Sequence, residues 1–90
     1  MWVIFEKKSL VRSLKRIPQE ILDRYEAWKK IVELSGPFGL REFPGFRDER
    51  LRGKWKGFRS SRLSIQWRVV YKIEEDHFEV YVIEITPHKY

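Results

Sequence analysis

The C-terminal third, residues 62–86, most constrains what this chain can fold into. The stretch LSIQWRVVYKI, within residues 62–73, is rich in β-branched and aromatic side chains. The acidic turn Glu74-Glu75-Asp76 follows, and then FEVYVIEI, within residues 77–86, alternates apolar and polar positions. Two such runs around a polar turn predict an antiparallel hairpin, and a hairpin with one apolar face needs a cover. The cover is written upstream. Leu10, Val11, Leu14 and Ile17 recur at three- and four-residue spacing, with Ser9 suited to cap a helix there. Pro18 stops that helix and fits the first turn of another, where its missing N–H is not needed. The second helix is expected over Gln19–Leu34, with Ile21, Leu22, Tyr25, Trp28, Ile31 and Val32 forming one stripe; Ser35-Gly36-Pro37 ends it.

Val3–Phe5 reads as a first strand and residues 54–60 as another, while Gly36 to Gly45 lacks any period and reads as a loop. That loop is long for so small a chain, which hints at function. The order β-α-α-β-β-β predicts an α+β fold: a small antiparallel β-sheet with two N-terminal helices packed on one face and the other face partly open. Ninety residues make one small domain, 1–90.

Charge says where such a domain would work. Lys and Arg number 19 against 13 Asp and Glu, a net charge of +6. Residues 41–72 alone carry 10 basic and 3 acidic side chains, whereas residues 73–90 carry 1 and 5. An excess concentrated in the middle third points to a polyanionic partner met by one face. The competing reading is a solvated surface. Aromatic residues tilt the balance, because Trp55, Phe58 and Trp67 lie among Lys54, Lys56, Arg59, Arg62 and Arg68. Cations for phosphates and flat rings for unstacked bases are the requirements of single-stranded RNA binding, although some of these rings must belong to the core. The absence of cysteine excludes a disulfide framework, a thiolate zinc site and a cysteine nucleophile, and fits a reducing cytoplasm. No signal peptide and no spanning helix is expected. The glycines form no phosphate-binding loop, and two histidines 11 apart make no metal site.

The run Leu-Arg-Gly-Lys-Trp-Lys-Gly-Phe-Arg (51–59), the block Trp-Arg-Val-Val-Tyr (67–71) and the terminal His-x-Tyr (88–90) occur in order within the β-α-α-β-β-β pattern. In this the chain resembles the RelE/ParE toxin superfamily of type II toxin–antitoxin modules, and is most similar to the RelE, YoeB, YafQ and HigB-like ribonucleases. The likeness spans essentially the whole chain. It implies a RelE-like fold and an mRNA interferase in the cytoplasm, acting in the ribosomal (30S) A site and neutralised by a cognate antitoxin, with no membrane partner. It also implies chemistry without metal or cofactor: the ribose 2′-OH attacks the adjacent phosphate, leaving a 2′,3′-cyclic phosphate and a 5′-OH. Such a reaction needs a base, an acid and positive charge at the phosphate.

Residue by residue, the resemblance makes Arg68 the holder of the scissile phosphate, since a guanidinium donates two parallel hydrogen bonds. Strand alternation then puts Arg68 on the opposite face from Trp67 and Val69. His88 is the implied general acid, with an ordinary pKa near neutrality. Glu49, just before Leu-Arg-Gly, is the implied base for the 2′-OH; a merely solvated glutamate competes, and Lys54 and Lys56 are alternative stabilisers of the nucleophile. Tyr90 would orient the phosphate or stack on a base. Arg59, Arg62 and Arg52 fall to the RNA backbone. His77, in the acidic turn, reads as surface. Two other functions stay open: a ParE-like gyrase poison without nuclease activity, and an RNA-binding protein that does not cleave.

Overall fold

The computed structural model describes residues 1–87. Strand β1 spans Val3–Glu6, helix α1 Lys8–Ser13 and helix α2 Gln19–Ser35; β2 is Glu49–Arg50, β3 Arg59–Arg62, β4 Arg68–Glu74 and β5 Glu79–Thr86. These strands form one sheet in the order β1-β5-β4-β3-β2. The C-terminal hairpin forms as the alternation requires, with β4 and β5 antiparallel at the centre. On one side β4 pairs antiparallel with β3, and β3 with β2. On the other side β1 runs parallel to β5, Val3 opposite Glu79 and Glu6 opposite Val82, so the expected antiparallel sheet carries one parallel edge strand. A parallel neighbour has no local turn to announce it, which is why sequence pattern cannot reveal the pairing.

The α2 stripe falls where its period puts it. Ile21, Tyr25, Trp28 and Val32 are buried, and Leu22 and Ile31 pack at the margin. With Leu10 and Ile17 they cover Val69, Tyr71, Val80, Val82 and Ile85 from the sheet, so both helices lie on one face. Three local expectations are corrected. Lys7, not Ser9, is the N-cap of α1, and no side chain caps that helix. The segment 36–46 is two tight 3₁₀ turns, and Leu40 and Phe46 drive into the core, so its length serves packing. Finally, the strands expected at 54–60 and 62–73 are shorter. Residues 53–55 form a 3₁₀ turn, while Ser64 Oγ accepts from the N–H groups of Gln66 (3.3 Å) and Trp67 (3.1 Å), which folds residues 63–67 into the β3–β4 turn. Ile65 at that tip is 85% exposed despite its strand propensity.

Candidate active site

Alternation along β4 sets the site. Val69 and Tyr71 join the core beneath the helices, so Arg68 and Val70 project from the other face, as expected of Arg68. That face is less open than expected, since Val70, Ser60, Thr86 and Arg68 are all buried there. Directly across from Arg68 lie Arg62 on β3 and Thr86 on β5. One step along, Val70 stands between Ser60 and Glu84, and Ser60 in turn faces Glu49 on β2. Two rows therefore cross this face: Thr86–Arg68–Arg62, and Glu84–Val70–Ser60–Glu49.

A bulge makes the second row possible. The β4–β5 register slips between Val70 and Tyr71, so that Val70 faces Glu84 but Tyr71 faces Val82, leaving Ile83 as an extra residue. Val80 and Val82 point into the core; without the slip Glu84 and Thr86 would follow them there. With it, Ile85 takes the core position and Glu84 and Thr86 turn to the face away from the helices.

The first row is electrostatically unfavourable on its own. Arg62 and Arg68 are Cα neighbours across the ladder, where like charges repel. Arg68 is only 8% exposed, and among the described residues neither guanidinium has an ion pair. Arg62 Nε and Ser60 Oγ are both buried and lack a hydrogen-bond partner among the described residues. Unsatisfied donors beside paired cations form a seat that a phosphate would complete.

Beside the rows, between β2 and the turn that follows it, lies an open cleft of about 1050 Å³. Glu49, Arg52, Lys56, Phe58 and Arg59 line it, together with the backbone of Gly53 and Gly57. These two glycines adopt φ of +65° and +95°, which L side chains rarely accept, and a Cβ at either would meet nothing within 4 Å; conformation rather than space demands glycine. Lys54 is exposed on the same turn and does not line the cleft. Of the three aromatics read as base platforms, only Phe58 lines it, edge-on to Trp55 at 5.4 Å. Trp67 packs against the core.

Behind the cleft is a polar network that sequence reasoning passed over. Asp48 Oδ2 accepts from Arg59 Nε (2.9 Å) and Nη2 (2.6 Å); Asp48 Oδ1 accepts from Ser61 Oγ (2.7 Å) and from the Tyr71 hydroxyl. Trp28 Nε1 donates to Ser61 Oγ at 2.9 Å. Burial, then the charge and hydrogen bond of Asp48, push the Tyr71 hydroxyl well above its ordinary value. Burial acts to lower the Arg59 pKa, but the hydrogen bonds and charge of Asp48 outweigh it and leave it raised. Two donors of Arg59 are thus engaged by Asp48, so the arginine expected at the RNA backbone lines the cleft as an internally paired cation.

The structure brings Glu49, Ser60, Arg62 and Arg68 onto one face and Arg52 and Lys56 into the adjoining cleft. His88 and Tyr90 lie outside the described residues. Sequence reasoning missed Asp48, Ser60 and Glu84. A signal for Glu84 was present in the consecutive apolar pair Val82-Ile83, which breaks the alternation just before it. Among the described residues, no group of three or more His, Cys, Asp or Glu side chains converges as a metal site, and no helix is long and apolar enough to cross a membrane.

A sheet covered by two N-terminal helices recurs in solved structures. YafQ from Escherichia coli superposes with a TM-score of 0.76 at 14% identity, over 96% of this chain and 92% of that one. The archaeal RelE in the RelE–RelB complex from Pyrococcus horikoshii gives 0.75 at 19%, over 96% and 93%. The chain has the RelE fold. A YoeB–YefM toxin–antitoxin complex from Staphylococcus aureus extends the likeness, with a TM-score of 0.72 at 13% identity over 99% of both chains. No family model and no curated protein matches the chain, so the RelE fold is recognised here through backbone geometry.

Proposed function

We propose that this chain is the toxin of a type II toxin–antitoxin pair, an endoribonuclease that cuts mRNA in the ribosomal A site without a metal. The observation that carries this reading is the Arg62–Arg68 pair: adjacent, poorly exposed and without an anion among the described residues. Arg68 holds the scissile phosphate and Arg62 shares its developing charge, two guanidinium groups on one phosphoryl centre. Glu49 sits two strands and two residues from Arg68, a Cα separation of about 12 Å on standard sheet spacings, which the two side chains span with a phosphodiester between them.

Glu49 takes the proton from the 2′-OH, O2′ attacks phosphorus, and the bond to the 5′-oxygen breaks. His88 gives its proton to that leaving oxygen, and Tyr90 orients the phosphate. The tether favours this: β5 ends at Thr86, across from Arg68, two residues before His88. Arg52 and Lys56 in the cleft, with Lys54 on its rim, follow the flanking RNA backbone, and Phe58 offers a ring to a base. The cognate antitoxin is the expected protein partner, in line with the RelE–RelB and YoeB–YefM complexes that share the fold, and the cytoplasm is the expected site of action.

Mapping mRNA 5′ ends after brief induction tests the reading. Wild type should produce new 5′-OH ends within codons. Arg68→Ala should lose cleavage at least a hundredfold with its fold intact, and His88→Gln should also relieve growth arrest. Growth arrest with intact mRNA and stalled DNA supercoiling would replace this reading with gyrase inhibition.

A further inference from the structure

We infer that Asp48 is a positioning residue that aims Glu49 across the Arg62–Arg68 row; this rests on Glu49 being the base of the proposed reaction. β2 has only two residues, Glu49 opposite Ser60 and Arg50 opposite Arg59, and the pairing continues by one backbone bond from the Leu51 N–H to the Phe58 carbonyl at 2.9 Å. A ladder that short does not hold a strand in place by itself. The residue just before it does. Asp48 is 10% exposed at its side chain and accepts two donors of Arg59, the Ser61 hydroxyl and the Tyr71 hydroxyl.

The direction of this network is fixed. An indole N–H can only donate, so Ser61 Oγ accepts from Trp28 and must turn its own proton to Asp48. Through these links Asp48 is tied to α2, β3 and β4 together. The chain enters it through Arg47, whose φ of +42° is left-handed, a turn that a non-glycine residue adopts only when its surroundings hold it.

Orientation then follows from strand geometry. Tyr71 belongs to the core beneath the helices, and Ser61 reaches Trp28 on that same side, so Asp48 is anchored from the helix face. Successive side chains of an extended segment point to opposite faces, so anchoring Asp48 inward turns Glu49 outward, in line with Ser60 and toward Arg68. Stability alone does not call for a carboxylate here, since apolar replacements for buried ion pairs are often as stable. Placement does, because misplacing a catalytic group by 1 Å is enough to lower a rate about a hundredfold.

The test is a cycle of four proteins: wild type, Asp48→Asn, Glu49→Gln and the double variant. Single-turnover cleavage of mRNA is measured on programmed ribosomes well below the thermal midpoint of each. Asp48→Asn should lower the rate about ten- to a hundredfold with KM within about twofold, and should lower it less than about threefold in the Glu49→Gln background. Tyr71→Phe, which keeps the carboxylate and removes one donor, should lower the rate by less, about threefold, and keeps the test open if Asp48→Asn does not fold. A lowered midpoint with an unchanged rate overturns the inference. So does an equal loss with and without Glu49. Full activity in Glu49→Gln would instead remove the underlying reading of Glu49 as the base, a separate and recognisable failure.

Discussion

At the scale of the residue, the clearest tension is between Arg62 and Arg68. Two cations placed opposite each other on neighbouring strands repel, and the buried Arg62 Nε has no partner among the described residues. In the free protein Arg62 therefore opposes folding. Replacing it with glutamine should raise stability by about 0.5 kcal/mol, read from urea unfolding midpoints at constant m-value, while RNA cleavage falls at least tenfold. Stability gained and activity lost in one variant is the signature of a residue kept for its ligand. A destabilised Arg62→Gln protein would show instead that the pair is held by contacts within the fold. Nothing in the sequence placed Arg62 against Arg68, since residues 62–73 read as one continuous strand, whereas the structure ends β3 at Arg62 and starts β4 at Arg68.

At the scale of the element, the bulge at Ile83 governs which side chains of β5 point away from the helices. Deleting Ile83 removes the extra residue and restores strict alternation, with Val82 and Ile85 still directed into the core and Glu84 and Thr86 still on the other face. The deletion variant should therefore keep a cooperative thermal transition. Replacing Ile83 with alanine keeps the residue count and should cost no more than about 1 kcal/mol. Elements of this kind mark what could be read beforehand. α2 was legible because one stripe of six apolar residues at helical spacing leaves few alternatives, and β4 and β5 because β-branched runs flank an acidic turn. β2 was illegible because two exposed charged residues carry no period at all; a tertiary anchor at Asp48 makes them a strand. The site divided the same way. Arg68 and Glu49 stand out as candidates in the sequence and the sheet register puts them on one face, whereas Ser60 and Asp48 emerge only once three strands are laid side by side.

For the molecule as a whole, charge is sorted along the sheet. Arg68 opens β4 and the acidic turn at residues 74–76 closes it, about 20 Å away at the usual rise per strand residue. With a net charge of +6, that separation turns the basic rim toward an approaching polyanion. Replacing Arg52 and Lys56 together with glutamine should reduce the salt slope of RNA binding by about 1.4, since each single-strand phosphate left without its cation removes about 0.7. Titrations between low and physiological salt measure that slope. Cleavage at saturating RNA should change less than about threefold, because neither residue is placed at the scissile phosphate. An unchanged slope would move the RNA path away from the cleft.

The parallel pairing of β1 with β5 has a consequence for how the protein comes into being. The first strand made has no sheet neighbour except the last one made, so a growing polypeptide cannot close this sheet until nearly all of it has emerged from the translation machinery. Products terminated before β5 would lack both the sheet neighbour of β1 and the strand that sets Thr86 beside Arg68, and so would hold neither the fold nor the site.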